Sequence, residues 1–177
     1  MFERYTERAR RVIFFARFEA SQHGSVMIEV EHCLLGLIRE RKELIDDLLL
    51  ATGGDSRELL KKIESIPLRE KTSTTIDLPF SSQSKQILAF VAEEADSLRH
   101  CHIGTEHLLL GILRQEESLA VDVLREQGLT LEVVREKFAN LTHSNDCTHT
   151  PSFEDKLLAL LTSIDKRLGE IKEKLQS

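Results

Sequence analysis

Apolar positions along the chain recur at helical spacing. Val12, Ile13, Ala16 and Ala20 stand at i, i+1, i+4 and i+8 behind a hydroxyl at Thr6. That is the buried stripe of an amphipathic helix with its N-cap. Ile87, Leu88, Val91 and Ala95 repeat the stripe behind Ser81. A denser phrase follows each: Ile28 to Ile38 reads IEVEHCLLGLI, and Ile103 to Leu113 reads IGTEHLLLGIL. Laid over each other at a constant offset of 75 residues, 5–63 and 80–138 share about fifteen identities in about sixty positions, without a gap. Several core-stripe positions exchange one aliphatic residue for another, as at 12/87, 13/88, 37/112 and 38/113. A period this long marks a duplicated helical unit.

Each unit predicts four helices. The first starts after Thr6 or Ser81. The second opens at Glu31 or Glu106 and carries the Leu-Leu-Gly phrase, with Thr105 as a good N-cap in the second copy and Glu106 in a first turn that favours an anion. The third spans about 44–52 and 118–127 and ends at Gly53 or Gly128, suited to a left-handed C-terminal position. The fourth spans about 55–66 and 130–140, capped by Asp55 or Thr130, and Pro67 stops the first copy. A glycine inside a helix costs about 1 kcal/mol relative to alanine. Gly36 and Gly111, at the same place in both copies, therefore predict close backbone approach. The expected fold is all-α: two tandem four-helix units (about 5–66 and 80–140) forming one pseudo-twofold bundle over 1–140.

Beyond a linker at 141–151, residues 152–177 predict one more helix. Ser152 and Asp155 resemble a capping box. Leu157, Leu161, Ile164, Leu168, Ile171 and Leu175 are spaced 4, 3, 4, 3, 4, a heptad seam. A lone helix of this length is marginal in water. The seam is therefore expected to bury itself, either in homo-oligomers or against its own bundle.

Composition agrees with a helical chain: 177 residues hold 3 Pro and 8 Gly. The net charge of −6, with basic residues dispersed among acids, argues against nucleic acid as a partner. No apolar run approaches the roughly 20 residues that cross a bilayer, so no membrane role is expected. The start has acids and no apolar h-region, unlike a secretory signal. The three cysteines form no framework, which fits a cytoplasmic location.

Chemistry is sparse. There is no phosphate-binding GxxxxGK[ST] loop, no HExxH, no paired CxxC and no recognisable nucleophile context. No enzyme, cofactor or metal is expected. His100-Cys101-His102 belongs to a loop between helices, and His143, Cys147 and His149 lack a second half to complete a zinc site. The repeated Glu31-His32 and Glu106-His107 are the better candidates. A carboxylate at an exposed helix mouth can grip a guanidinium bidentately. The competing reading is a dipole-stabilising charge with a packed or capping histidine. Thr6 and Ser81 are helix caps that could also line a pocket with a glutamate of the same or the opposite unit.

Tyr5-Thr6-x-Arg8-Ala9, the I-x-x-E-H-x-L-L-G phrase and their recurrence after 75 residues resemble the double Clp repeat, the N-terminal domain of Clp ATPase unfoldases, closest to the ClpC type. The resemblance covers about 1–140. It implies a stand-alone N-domain protein without AAA+ modules. It further implies a non-enzymatic accessory or adaptor of Clp proteolysis that binds client proteins, adaptors, the Clp ATPase or the Clp protease. In some ClpC-type relatives this domain binds phosphoarginine; carried over, that implies Glu106 with Ser81 and Glu31 with Thr6, alongside His32, His107 and Thr105. The alternative is a scaffold that reuses the bundle and oligomerises through its last helix.

Overall fold

In the computed structural model the described residues are 2–65, 78–116 and 118–141, and side chains are described as far as Phe138. They fall within a compact unit spanning 1–145. Residues 146–177 divide off as a second unit, and the heptad helix expected at 152–177 falls outside the described residues.

Eight helices make up the described fold: α1 Glu7–Gln22, α2 Val30–Glu40, α3 Lys42–Thr52, α4 Ser56–Glu64, α5 Ser82–Ser97, α6 Thr105–Leu113, α7 Leu119–Glu126 and α8 Leu131–Leu141. They form two sets of four at the sequence offset, the tandem repeat expected. Caps explain most of the boundaries. The hydroxyl of Thr6 accepts from the Ala9 amide and that of Ser81 from the Ser84 amide, each at 3.2 Å. Asp55 accepts from Arg57 N–H at 2.8 Å. Gly53 and Gly128 both take φ of +79°, the left-handed stop.

The two Leu-Leu-Gly helices are the centre of the core. From Leu108 to Leu113 every residue of α6 is buried, and α2 is buried from His32 to Ile38. The helix α1 packs on α2, α5 packs on α6, and α2 meets α6. The glycines permit this. A Cβ on Gly36 would lie 2.6 Å from both the Ala16 nitrogen and the Val12 carbonyl oxygen of α1. A Cβ on Gly111 would run into the Val91 side chain of α5 and come within 3.1 Å of the Ile87 carbonyl.

The mouths of α2 and α6 differ from expectation by one residue. Thr105 is the first helical residue and Gly104 is the N-cap; likewise Glu29, not Val30, caps α2. The histidine decides this. Nδ1 of His107 accepts the Gly104 N–H at 2.9 Å, and Nδ1 of His32 accepts the Glu29 N–H at 3.0 Å. An imidazole three residues into the helix thus does what Glu or Gln does in a capping box.

Candidate binding site at the repeat junctions

Each repeat borrows a strand-like contact from the other. Before α1, Tyr5 bridges to Ile103, with Thr6 N–H to the Ile103 carbonyl at 2.9 Å and Ile103 N–H to the Arg4 carbonyl at 2.8 Å. Before α5, Phe80 bridges to Ile28, with Ser81 N–H to the Ile28 carbonyl at 3.1 Å and Ile28 N–H to the Pro79 carbonyl at 2.8 Å. These are the same junction, related by the duplication.

The junctions settle which hydroxyl stands near which glutamate. Within one repeat, α1 and α2 run antiparallel: His23 at the end of α1 lies against His32 at the start of α2, and Arg11 near the start of α1 pairs with Glu40 at the end of α2. Thr6 and Glu31 therefore sit at opposite ends of a helix about 24 Å long. The pairing by repeat, Thr6 with Glu31 and Ser81 with Glu106, is replaced by a crossed one. Thr6 joins the Glu106 mouth and Ser81 joins the Glu31 mouth.

The seven candidate residues separate by exposure. Glu31, Glu106 and Thr6 are part-exposed, whereas His32, His107, Thr105 and Ser81 are buried. Ser81 spends its hydroxyl on Ser84, backbone and side chain. Thr105 accepts from Arg41 at 3.2 Å, and Ser118 donates to Glu31 at 3.4 Å, so each mouth also touches the turn leading into the third helix of the other repeat. Nothing in the spacing pointed to Arg41 or Ser118. Among the described residues, no Lys or Arg lies within ion-pair distance of Glu31 or Glu106. The Glu106 carboxylate folds back over Gly104, filling the place a Cβ would take there. Beside the first junction opens a cleft of about 450 Å³, lined among others by Phe2, Tyr5, Lys85, Leu88 and Ile103.

The two histidines are held neutral. Burial, with His23 beside it, lowers the His32 pKa from 6.5 to about 4. Burial also lowers that of His107, against the pull of Glu106. Because Nδ1 of His107 accepts from Gly104, its proton is on Nε2, which donates to Nδ1 of His100 at 2.8 Å. His100, Glu106 and His107 are close enough to suggest an ion site. The cap argues for a hydrogen bond instead, since it leaves no lone pair on Nε2. His32 has the same tautomer, but its Nε2 meets no partner among the described residues. His143, Cys147 and His149 lie outside those residues.

A pair of framing clusters went unread in the sequence. Arg39 stacks on Phe15 and Phe18, 5.0 and 4.7 Å from the ring centres, and pairs with Glu19 at 2.7 Å. Its counterpart Arg114 lies 4.2 Å over Phe90 and pairs with Glu94 at 3.3 Å. Arg135 adds a second guanidinium, its Nε 3.1 Å from Glu94. The identities at 15/90, 19/94 and 39/114 were the available signal.

An all-α bundle of two four-helix repeats, with a matched acidic mouth at each crossed junction, defines a duplicated helical domain. The chain matches the Clp repeat (R) N-terminal domain family over residues 4–127 and 79–166, and it belongs to that family. It is 36% identical over 177 residues to the negative regulator of genetic competence ClpC/MecB of Bacillus subtilis, covering 94% of this chain and 22% of that one. It is 38% identical over 141 residues to a ClpA homologue, an ATP-dependent Clp protease ATP-binding subunit of Guillardia theta, covering 80% and 17%. The chain thus spans about a fifth of the length of these curated relatives. Among solved structures it resembles the N-terminal domain of the Arabidopsis thaliana chaperone ClpD, with a TM-score of 0.63, 28% identity and coverage of 80% and 100%. The Candida albicans Hsp104 N-terminal domain shares the fold, with a TM-score of 0.69, 17% identity and coverage of 80% and 93%. Among the described residues no helix is long and apolar enough to cross a membrane.

Proposed function

We propose that the chain is a non-enzymatic binding module of Clp-type proteolysis. It takes up a cationic or arginine-phosphorylated side chain of a client or adaptor at the repeat junctions, for delivery to, or competition with, the Clp ATPase and protease. One observation carries this reading. Two part-exposed glutamates, Glu31 and Glu106, stand at duplicated helix mouths, and no Lys or Arg of the described residues lies within ion-pair distance of either. A carboxylate there suits a guanidinium, and the neighbouring helix start suits the phosphate that would accompany it. The junctions are unequal. Thr6 leaves its side chain part-exposed beside the Glu106 mouth, whereas Ser81 is buried beside Glu31, so Glu106 is the stronger pocket.

The test is fluorescence anisotropy with a peptide carrying one phosphoarginine, its unmodified twin and a phosphoserine analogue. Wild type should prefer the phosphoarginine peptide. Losing a charged hydrogen bond is worth about 1.5–3 kcal/mol, so Glu106→Ala should weaken binding roughly 10- to 100-fold and Glu31→Ala less. Equal affinity for all three peptides would sink the phosphoarginine reading. Equal affinity of wild type and the double variant would sink the glutamate pockets. Homo-oligomerisation through Leu157, Leu161, Ile164, Leu168, Ile171 and Leu175 is part of the proposal; sedimentation equilibrium of wild type against Leu161→Asp/Leu168→Asp tests it.

A further inference from the structure

Arg41 is the whole of the turn between α2 and α3. The first of these helices ends at Glu40, the second begins at Lys42, and the Arg41 N–H closes on the Leu37 carbonyl at 2.9 Å. Its backbone is thereby fixed, and its side chain crosses to the second repeat. There Nη1 donates to the Thr105 hydroxyl at 3.2 Å, and that hydroxyl donates in turn to Glu106 Oε2 at 3.4 Å. A guanidinium and a carboxylate, both part-exposed, thus stand one buried hydroxyl apart without pairing. The acids next to Arg41 in the chain do not claim it either. Glu40 is held by Arg11 at 2.7 Å. Among the described residues neither Glu43 nor any other carboxylate lies within ion-pair distance of Arg41. The matching position in the second copy is Glu116, so the fold of a repeat does not call for a cation there.

We infer that Arg41 makes the Glu106 mouth a two-charge site that selects a phosphorylated arginine over a bare one, a reading that rests on the binding role proposed above for Glu106. Glu106 would take the guanidinium of the ligand and Arg41 its phosphoryl oxygens. The planar guanidinium of an arginine is the side chain best matched to a phosphoryl group. A bare cationic side chain would gain the carboxylate but meet Arg41 as a like charge. A phosphate without a guanidinium would gain Arg41 but meet Glu106 in the same way. The ligand that satisfies both groups carries both charges on neighbouring atoms, as phosphoarginine does.

The test uses the full chain with Glu31→Ala, so that the Glu106 mouth is read alone. Anisotropy compares a phosphoarginine peptide with its unmodified twin, before and after Arg41→Gln. Glutamine keeps an N–H for the Thr105 hydroxyl and removes the charge. The preference for phosphoarginine should fall at least tenfold, through weaker binding of the phosphorylated peptide, while the unmodified peptide binds no worse. Arg41→Lys should keep part of the preference, whereas Glu106→Ala should weaken both peptides. Thermal unfolding should be unchanged by Arg41→Gln, because the side chain is part-exposed and forms no ion pair within the described residues. A preference left intact by Arg41→Gln overturns the inference and leaves the Glu106 pocket standing. Equal gains in affinity for both peptides also overturn it, since Arg41 would then only mask Glu106. Absence of any preference while Arg41 is still in place removes the phosphoarginine reading itself, and the role of Arg41 with it.

Discussion

Replacing Gly36 with alanine tests the close approach at the heart of each repeat. In an isolated helix the change would be favourable by about 1 kcal/mol. Here the new Cβ meets two backbone atoms of α1 at 2.6 Å, about 0.8 Å inside ordinary contact. Backbone cannot rotate away, so α1 must recede from α2. A radial gap of 0.5–1 Å forfeits roughly a quarter to a half of each dispersion contact along the seam, and α1 contributes five buried side chains to it. Overpacking of this kind costs up to about 3 kcal/mol, which leaves a net loss of about 2 after the propensity gain. Gly111 differs. Its nearest obstacle is a methyl of Val91, and the backbone atoms stand back at 3.1 Å. Val91 is buried and stiff at χ1, so its methyl must move by about 1 Å, but a side chain can yield where backbone cannot, and the net loss for Gly111→Ala should stay near ~1 kcal/mol, below that for Gly36→Ala. Urea unfolding followed by circular dichroism at 222 nm, with a slope of roughly 2 kcal/mol/M, should put the Gly36→Ala midpoint about 1 M below wild type and Gly111→Ala within about 0.5 M of it. If Gly36→Ala is no less stable than Gly111→Ala, the helix contact is not as tight as argued.

Three further outcomes are expected. Glu94 is 2% exposed and serves both Arg114 and Arg135, so Glu94→Gln should cost about 2 kcal/mol by urea unfolding, and Glu19→Gln, with the single half-exposed Arg39, under about 1. The His32 pKa is depressed in the folded state, so the unfolded chain binds the proton first as pH falls. Stability is then full above pH 6.5 and lost progressively toward pH 4, by about 3 kcal/mol from His32, with His107 acting in the same direction. His32→Gln keeps an acceptor for the Glu29 amide and should flatten that slope; an unchanged slope would refute the assignment. In phosphoarginine binding, a double-mutant cycle should show coupling of about 0.5 kcal/mol or more between Thr6→Ala and Glu106→Ala and none between Thr6→Ala and Glu31→Ala. The reverse would restore the pairing by repeat.

The sequence made much of this fold legible because its devices are local. The hydroxyls of Thr6 and Ser81, the carboxylate of Asp55 and the glycines at 53 and 128 act within one turn of their own position, and their spacing alone locates helix ends. The repeat then made Gly36 and Gly111 informative, since one helical glycine is noise and two at the same offset imply a constraint. Thr105 was read as a cap because hydroxyls usually are. The deciding group was His107, whose ring takes the Gly104 amide. The crossing of the junctions was not legible at all. Tyr5 and Ile103 are paired by backbone hydrogen bonds, which carry no side-chain signature, between segments far apart in the chain.

That crossing changes what the duplication means for binding. In two independent repeats, each mouth would be complete within one copy, and a single unit would retain a single site. Here the Glu106 mouth needs Thr6 from the first repeat, and Arg41 of the first repeat bonds to Thr105 beside it. The Glu31 mouth in turn needs the segment around Ser81 and the hydroxyl of Ser118 from the second. Both proposed sites are built at the interface between repeats, where α2 also meets α6. Divergence of one copy therefore reaches the other's site. The change from Gly104-Thr105 to Glu29-Val30 at one mouth, and from the part-exposed Thr6 to the buried Ser81 beside it, fall in the same junction. The Glu31 junction has accumulated both departures, while the Glu106 junction keeps the small residue, the hydroxyl and the acid together. A domain wired in this way can lose or alter one pocket without losing the fold, because the backbone pairings at the two junctions are the same whatever the side chains do.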